Sequence, residues 1–290
     1  MAAVIVLWGL GPPVAKLITA PAMVSASVRF WISAPVLLVL ATRRGRPVDR
    51  AVLRVTALPG FMFGLNMIMV FAALHRTTVA VVSVLMALQP GIVLVAAGPW
   101  LGERATRWHI GWTVVGISAV GAVILGGGAD VRGDVAGIAL AVGALLTFTV
   151  YYVVNRQVRS TTSIDPVQWM AGVTVFAALT VTPLALLTSS WDDYRQLAGA
   201  DWLYLGFMAV MVGTVGHSLM SWSHRFLAAS RSSLYLLAMN VVAVGAAWPI
   251  HHEAVTVLQA LGGLVVLGSV AAVVSRPAAV PLPRDLAATP

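Results

Sequence analysis

The stretch Val79–Arg104, VAVVSVLMALQPGIVLVAAGPWLGER, decides the fold. Between Arg76 and Glu103 it carries no charged side chain. A run this long and this apolar matches the roughly 20 residues that a helix needs to cross a hydrocarbon core of about 30 Å. Moving 150 positions along the chain gives ASRSSLYLLAMNVVAVGAAWPIHHEA, residues 229–254. Ser83 then meets Ser233, Ala96 and Ala97 meet Ala246 and Ala247, and Pro99 meets Pro249. Glu103 meets Glu253, and Thr106 meets Thr256. Shifts of 149 and 146 pair His75-Arg76 with His224-Arg225 and Gly60-Phe61-Met62 with Gly206-Phe207-Met208. Pro, Glu and Thr matched in fixed order identify an internal repeat.

Composition places the whole chain in the same solvent as this stretch. Of its 290 residues, 59% are hydrophobic and only 10% are charged, with a mean hydropathy of +0.91. A soluble domain carries about 25% charged residues to wet its surface. That excludes most soluble enzymes, disordered proteins and disulfide scaffolds. Cysteine is absent, so no disulfide, thiolate nucleophile or Cys-bound metal is available. The net charge of +8 is not a nucleic-acid signature, because the basic residues are scattered among apolar runs rather than clustered on one wetted face.

The apolar runs predict ten spans, over 3–19, 22–42, 55–74, 79–101, 109–126, 135–154, 167–188, 202–222, 232–250 and 255–274. They are continuous, without the alternation of a barrel strand, so they read as helices. The connections are short, the longest running from about Ser189 to Asp201. The first run is not a cleavable signal, since no basic residue precedes it. With the N-terminus inside, 13 basic residues fall on inside segments: Arg43, Arg44, Arg46, Arg50, Arg54, Arg104, Arg107, Arg156, Arg159, Arg225, Arg231, Arg276 and Arg284. Three, Arg76, Arg132 and Arg195, fall outside. The positive-inside rule then puts both termini in the cytoplasm. Trp100, Trp108, Trp191, Trp202 and Trp248 fall near predicted span ends, where aromatic rings favour the interface.

The expected architecture is an all-α integral membrane protein of ten transmembrane helices, built as two inverted five-helix repeats. The repeats are residues 1–126 and 127–275, followed by a Pro- and Ala-rich tail over 276–290 read as disordered and cytoplasmic. Five is odd, so the second copy enters the membrane from the opposite side. Inverted repeats of this kind are a transporter architecture, with a substrate site near midplane between the halves.

Several short motifs carry a family resemblance. Trp8-Gly9 followed by Lys16, and Arg29-Phe30 in the second span, resemble the opening of an EamA-type member of the drug/metabolite transporter superfamily. So does Leu88-Gln89-Pro90, followed by Leu101-Gly102-Glu103-Arg104 and Gly111. Glu253, Thr256, Gln259 and Gly262 echo the pattern in the second half. The resemblance covers about residues 4–275 and implies a bacterial inner-membrane carrier that exports amino acids, metabolites or drugs. Three departures stand out: Met239-Asn240 where Pro is expected, His252 in place of Gly, and Thr147 where Trp often opens the second repeat.

Ionisable side chains within spans are expensive and mark function by default. No Asp or Glu lies in a span core. Lys16, the only lysine, reads either as an anion contact or as a side chain snorkelling to the interface. Arg29 reads as a substrate-carboxylate partner or as a structural donor to carbonyls. His217 is the one near-midplane group that titrates near neutral pH, unless it is simply a hydrogen-bonded packing residue. Asn66, Gln89 and Asn240 need partners in hydrocarbon, from a polar cavity or from another helix. Pro90 after Gln89 disrupts the helix ladder and frees a carbonyl. Trp8, Trp31, Tyr151, Tyr152 and Tyr235 offer aromatic walls, or plain packing.

Substrate-binding candidates are therefore Trp8, Lys16, Asn66, Gln89, Tyr151, His217, Tyr235 and Asn240. Structural or gating candidates are Arg29, Pro90, Glu103 and Glu253. Gly111, Gly116 and Gly121 read as helix-packing positions. Gly126-Gly127-Gly128 lacks the setting of a nucleotide loop, and His251-His252-Glu253 lacks zinc-ligand spacing. No metal, cofactor or catalytic residue is expected. The expected partners are a small-molecule solute and the lipid bilayer, with a homodimer left open and no nucleic acid.

The leading function is a secondary transporter, probing its solute by alternating access and coupled by exchange, uniport or proton antiport. A lipid-acting membrane enzyme and a non-transporting scaffold or sensor are the rival classes. In intact cells a cysteine at Asp192 should react with a membrane-impermeant maleimide, and one at Arg46 should not. The reverse labelling overturns the orientation.

Overall fold

Hydrocarbon offers no water to backbone N–H and C=O groups, so a chain this apolar closes its hydrogen bonds inside helices. The computed structural model describes residues 1–74, 76, 82, 85–101, 106–125, 134–251 and 256–275, and among them it holds helices and no strands. The first half contains α1 (Ala2–Ala15), α2 (Ala22–Arg43), α3 (Arg50–Leu74), α4 (Gln89–Leu101) and α5 (Arg107–Leu125). The second half begins with α6 (Val135–Thr161), α7 (Pro166–Thr188) and the short α8 (Trp191–Arg195). It continues through α9 (Ala200–Phe207), a π-helical segment (Met208–Gly216) and α10 (His217–Ser223) as one rod. It closes with α11 (Ala229–Tyr235), α12 (Ala238–His251) and α13 (Val257–Ser275).

Six stretches among the described residues are long and apolar enough to cross a membrane: Ala22–Arg43, Arg50–Ala73, Val135–Thr161, Pro166–Thr188, Ala200–Ser223 and Ala229–Ile250. Ala2–Ala15 and Val257–Val273 are shorter apolar helices. The fourth expected span is described only at Val82 and from Leu85 onward. The triple glycine at Gly126, together with Glu103, Glu253 and the tail, lies outside the described residues.

Cross-chain contacts fix the direction of each helix. At one end of the bundle, Ser223 meets Met1, Gln168 donates to the Pro47 carbonyl at 2.7 Å, and Arg156 donates to the His224 carbonyl. At the other end, Asp201 accepts from the Thr19 amide at 3.0 Å and its hydroxyl at 2.8 Å, and Ser27 meets Tyr194. Arg76 pairs with Asp134 at 3.0 Å at that same end. α1 therefore starts where α6 finishes, and corresponding helices of the two halves run in opposite directions. The halves interlock, with α3 between α6 and α7, α2 on α7, α1 on α12, and α5 on α13.

Caps close the helices at the sequence positions that allow them. Asp134 caps α6 by accepting from the Gly137 amide at 2.6 Å. That bond, with Arg76 beside it, holds the Asp134 carboxyl below the usual carboxylate range. Asp165 caps α7, with Pro166 at the first helical position where a missing N–H costs nothing. Thr256 and Gln259 form a reciprocal capping box at the head of α13. Thr106 holds the matching place before α5, bonding His109 at 2.6 Å. The repeat inferred from the sequence thus recurs as equivalent caps on the last helix of each half.

The fourth and ninth spans share another feature. Leu88 donates to the Leu85 carbonyl and Gly91 to the Leu88 carbonyl, three residues back rather than four. Leu236, Leu237, Met239 and Asn240 do the same in the second half. Each span breaks at a corresponding point. Pro90 stands in the first turn of α4, immediately after the break.

The packing glycines differ from expectation. Gly116 does pack, its missing Cβ lying 2.7 Å from Leu237, but Gly111 and Gly121 face open space. The tight seam is instead α3 on α7, through Gly60 and Gly64. A Cβ on Gly64 would lie 2.7 Å from the Thr180 Cβ and 3.0 Å from the Ala177 carbonyl oxygen. Lipid tails are as apolar as leucine, so helices associate by such close small-residue contact rather than by hydrophobic drive. Gly64→Leu should destabilise the detergent-solubilised protein by about 1–3 kcal/mol through overpacking. Gly111→Ala should leave its melting temperature unchanged, and equal melting temperatures for both variants would remove the seam.

Candidate functional site

The π-helical segment sets the site. Hydrogen bonds five residues apart widen a helix, and such segments concentrate at functional positions. Ala209 shows how this one is held: its carbonyl accepts from the Ser33 hydroxyl of α2 at 2.8 Å and from Thr214 at 3.1 Å. His217 is the first residue after the segment.

Three aromatic rings close around His217. The Trp8 ring of α1 lies 4.5 Å away, Phe63 of α3 4.8 Å and Tyr151 of α6 6.1 Å, centroid to centroid. Phe148 abuts Trp8 and Tyr151. Phe63 stacks on Tyr151 at 4.9 Å, and Phe30 meets Phe63 edge-on. The Tyr151 hydroxyl and His217 Nδ1 share a hydrogen bond of 3.1 Å. Trp8, Phe63, Tyr151 and His217 are all buried. Gly216 allows this approach, since a Cβ there would lie 2.7 Å from the Trp8 Nε1.

The cluster is mostly apolar with a few polar atoms. Trp8 Nε1 is a buried donor with no hydrogen-bond partner among the described residues. Asn66, one turn beyond Phe63, donates to the Ala144 carbonyl of α6 at 2.8 Å, and its Oδ1 is an unpaired acceptor. Arg29 is half-buried, its guanidinium 5.4 Å from the Phe30 ring, with an Nη2 contact to the Met67 sulfur. It also acts electrostatically on His217. The cluster offers aromatic faces to an apolar group and separated donors and acceptors to a polar one.

Of the eight substrate-binding candidates, Trp8, Tyr151 and His217 meet directly, and Asn66 stands one turn away. The other four do not join them. Lys16 is exposed at the C-terminal end of α1, the snorkelling position. Gln89 is buried at the head of α4 with its amide nitrogen unpaired. Tyr235 accepts from Arg231 at 3.3 Å, and Asn240 donates to the Leu237 carbonyl in the break just before its helix. Trp31 turns outward, half-exposed, and donates to Thr182. Tyr152 points away from its neighbour Tyr151 to donate to Ser232 at 2.7 Å.

Sequence reasoning missed Phe63 and Phe148, because a phenylalanine in an apolar run has no distinguishing signal. It also counted Arg156 and Arg159 as loop charges. α6 continues to Thr161, two turns past the expected end, and both arginines are buried within the bundle. Their carbonyl partners at the end of α10 are what make that burial tolerable.

The comparisons with known proteins agree with this architecture. The model of the EamA-like transporter family matches residues 1–125 and again residues 135–275. Among solved structures, 29 chains match. One, described only as the crystal structure of a protein, superposes with a TM-score of 0.78 over 94% of each chain at 18% sequence identity, a likeness of fold. No curated protein matches the chain. Two family matches in tandem span nearly all of the described helices, and the chain belongs to the EamA-like transporter family.

Proposed function

We propose that this protein is a secondary transporter of neutral or zwitterionic amphipathic solutes, acting as an exporter in a bacterial inner membrane with both termini cytoplasmic. The observation that carries the reading is the composition of the aromatic cluster around His217. Trp8 and Phe63 come from the first repeat, Tyr151 and His217 from the second, and they meet at one point. A site shared by both halves is what rocking of one half against the other exposes alternately.

Ten spans, the count the apolar runs give, complete two five-helix repeats. The paired breaks at Leu88 and Leu236 put irregular backbone at matching places in both halves, a feature that accompanies transporter sites. Exposed Leu187, Leu203 and Val95 suit a lipid-facing surface. The solute class is read from the cluster: aromatic faces, one histidine–tyrosine pair and no carboxylate in a span core favour a solute without large net charge. Export direction and the inner-membrane location rest on the family and on the basic-residue bias.

Proteoliposomes loaded with a panel of labelled amino acids and organic cations test this. Solute-dependent flux is the expected result, and no flux under any imposed gradient refutes transport. Tyr151→Phe keeps the ring and removes only the hydroxyl. A buried hydrogen bond contributes about 1 kcal/mol, so apparent affinity should fall about fivefold at unchanged expression. His217→Ala should reduce flux further, and normal kinetics in both variants would remove the cluster from the transport path.

A further inference from the structure

The turn between α2 and α3 holds the densest run of basic residues in the chain. Arg43, Arg44, Arg46, Arg50 and Arg54 fall within twelve residues, against the single carboxylate of Asp49. All five are exposed, and none pairs with a carboxylate among the described residues. Asp49 is spent on capping α3, its side chain accepting from the Val52 amide at 2.8 Å.

The backbone that carries these charges is fixed. Gly45, at φ +66°, takes the left-handed position that ends α2. Arg46 donates back to the Ala41 carbonyl and Gly45 to that of Thr42, both at 2.9 Å. Gln168 of α7 holds the Pro47 carbonyl. Helix stability accounts for only part of the charge. Arg43 and Arg44 sit at the C-terminal, negative end of the α2 dipole, where cations are favourable. Arg50 opens α3, where the dipole end is positive and a cation is unfavourable. The fold supplies no counter-charge there, so the favourable partner is an anion from outside it.

The surface leading away from the turn says what carries that anion. On α3 one exposed face runs Arg50, Arg54, Leu58 and Phe61, at helical spacing. On α2 another runs Trp31, Pro35, Val39 and Arg43, four residues apart each time. Each arm passes from apolar to cationic as it nears the turn. Arg54 stands about 6 Å deeper along α3 than Arg50. That spacing matches the interfacial layer of one leaflet, roughly 6 Å thick. A free phosphate or a nucleic acid would use the cationic part alone. A phospholipid uses both parts.

We propose that the α2–α3 hairpin is a docking surface for anionic phospholipids, with the headgroup over the arginines and the acyl chains along the apolar stripes. Several exposed arginines beside a span attract an anionic leaflet together, without closing on a single point. The tie from Gln168 to Pro47 joins this hairpin to the second repeat, so a bound lipid would rest on an element that both halves hold.

Purified full-length protein in zwitterionic detergent micelles is mixed with pyrene-acyl phosphatidylglycerol, and binding is read as energy transfer from tryptophan. Unlabelled phosphatidylglycerol should displace the probe. Phosphatidylcholine at the same mole fraction, and inorganic phosphate, should not. Added salt should weaken the binding, because exposed charges are screened. These arms use the unaltered protein and need no variant to fold. Arg50→Gln and Arg54→Gln should each lower the apparent affinity about fivefold, the attraction of an anionic surface for one arginine. Arg195→Gln, at the other end of the bundle and paired with Asp192, should leave it unchanged. Equal displacement by phosphatidylcholine overturns the proposal, since acyl packing alone would then account for binding. So does displacement by inorganic phosphate, or unchanged affinity in both α3 variants.

Discussion

A helix broken inside hydrocarbon has no water to complete it, and that constraint governs the irregular backbone described within the spans. The backbone departs from regular α-helix at the two span breaks, in the π-helical segment and at the buried end of α10. Each departure is answered by a named group. Ser33 and Thr214 serve the Ala209 carbonyl, and Arg156 and Arg159 serve the end of α10. The breaks at Leu88 and Leu236 retain three-residue hydrogen bonds.

The same constraint explains what was legible in the sequence. Apolar run length gave the helices, because the bilayer demands it, and α2 and α7 match their expected limits closely. Fixed-order matches around Pro99, Glu103 and Thr106 gave the repeat, because both halves must make the same turns. Composition does not encode which face a helix turns inward. Trp8, Tyr151 and His217 were recognisable as polar or aromatic residues in spans, yet Gln89, Tyr235 and Asn240 looked equally qualified. Their neighbours on other helices separate them, and those lie as far off in sequence as His217 is from Trp8.

Arginine misled for a related reason. The positive-inside count treats every basic residue near a span end as wetted. Arg225 is exposed, whereas Arg156 and Arg159, on the same end of the bundle, are not. The difference comes from α6 running on beyond its apolar stretch, carried by tertiary contacts with α10 rather than by hydropathy. A topology count survives such an error because the sidedness is unchanged, but the chemistry assigned to the residues is not.

The two halves are similar in plan but not in backbone. α3 is α-helical from Arg50 to Leu74, whereas its counterpart carries nine residues of π-helix before His217. An α-helix turns by about 100° and advances about 1.5 Å per residue. Were the wide segment to release a single residue into α geometry, everything after it would rotate by about that angle. His217 would swing out from between Trp8 and Tyr151, and a different face of α10 would take its place. Among the described residues the segment is a stored rotation present in one half only, so the two repeats share a plan without sharing a backbone.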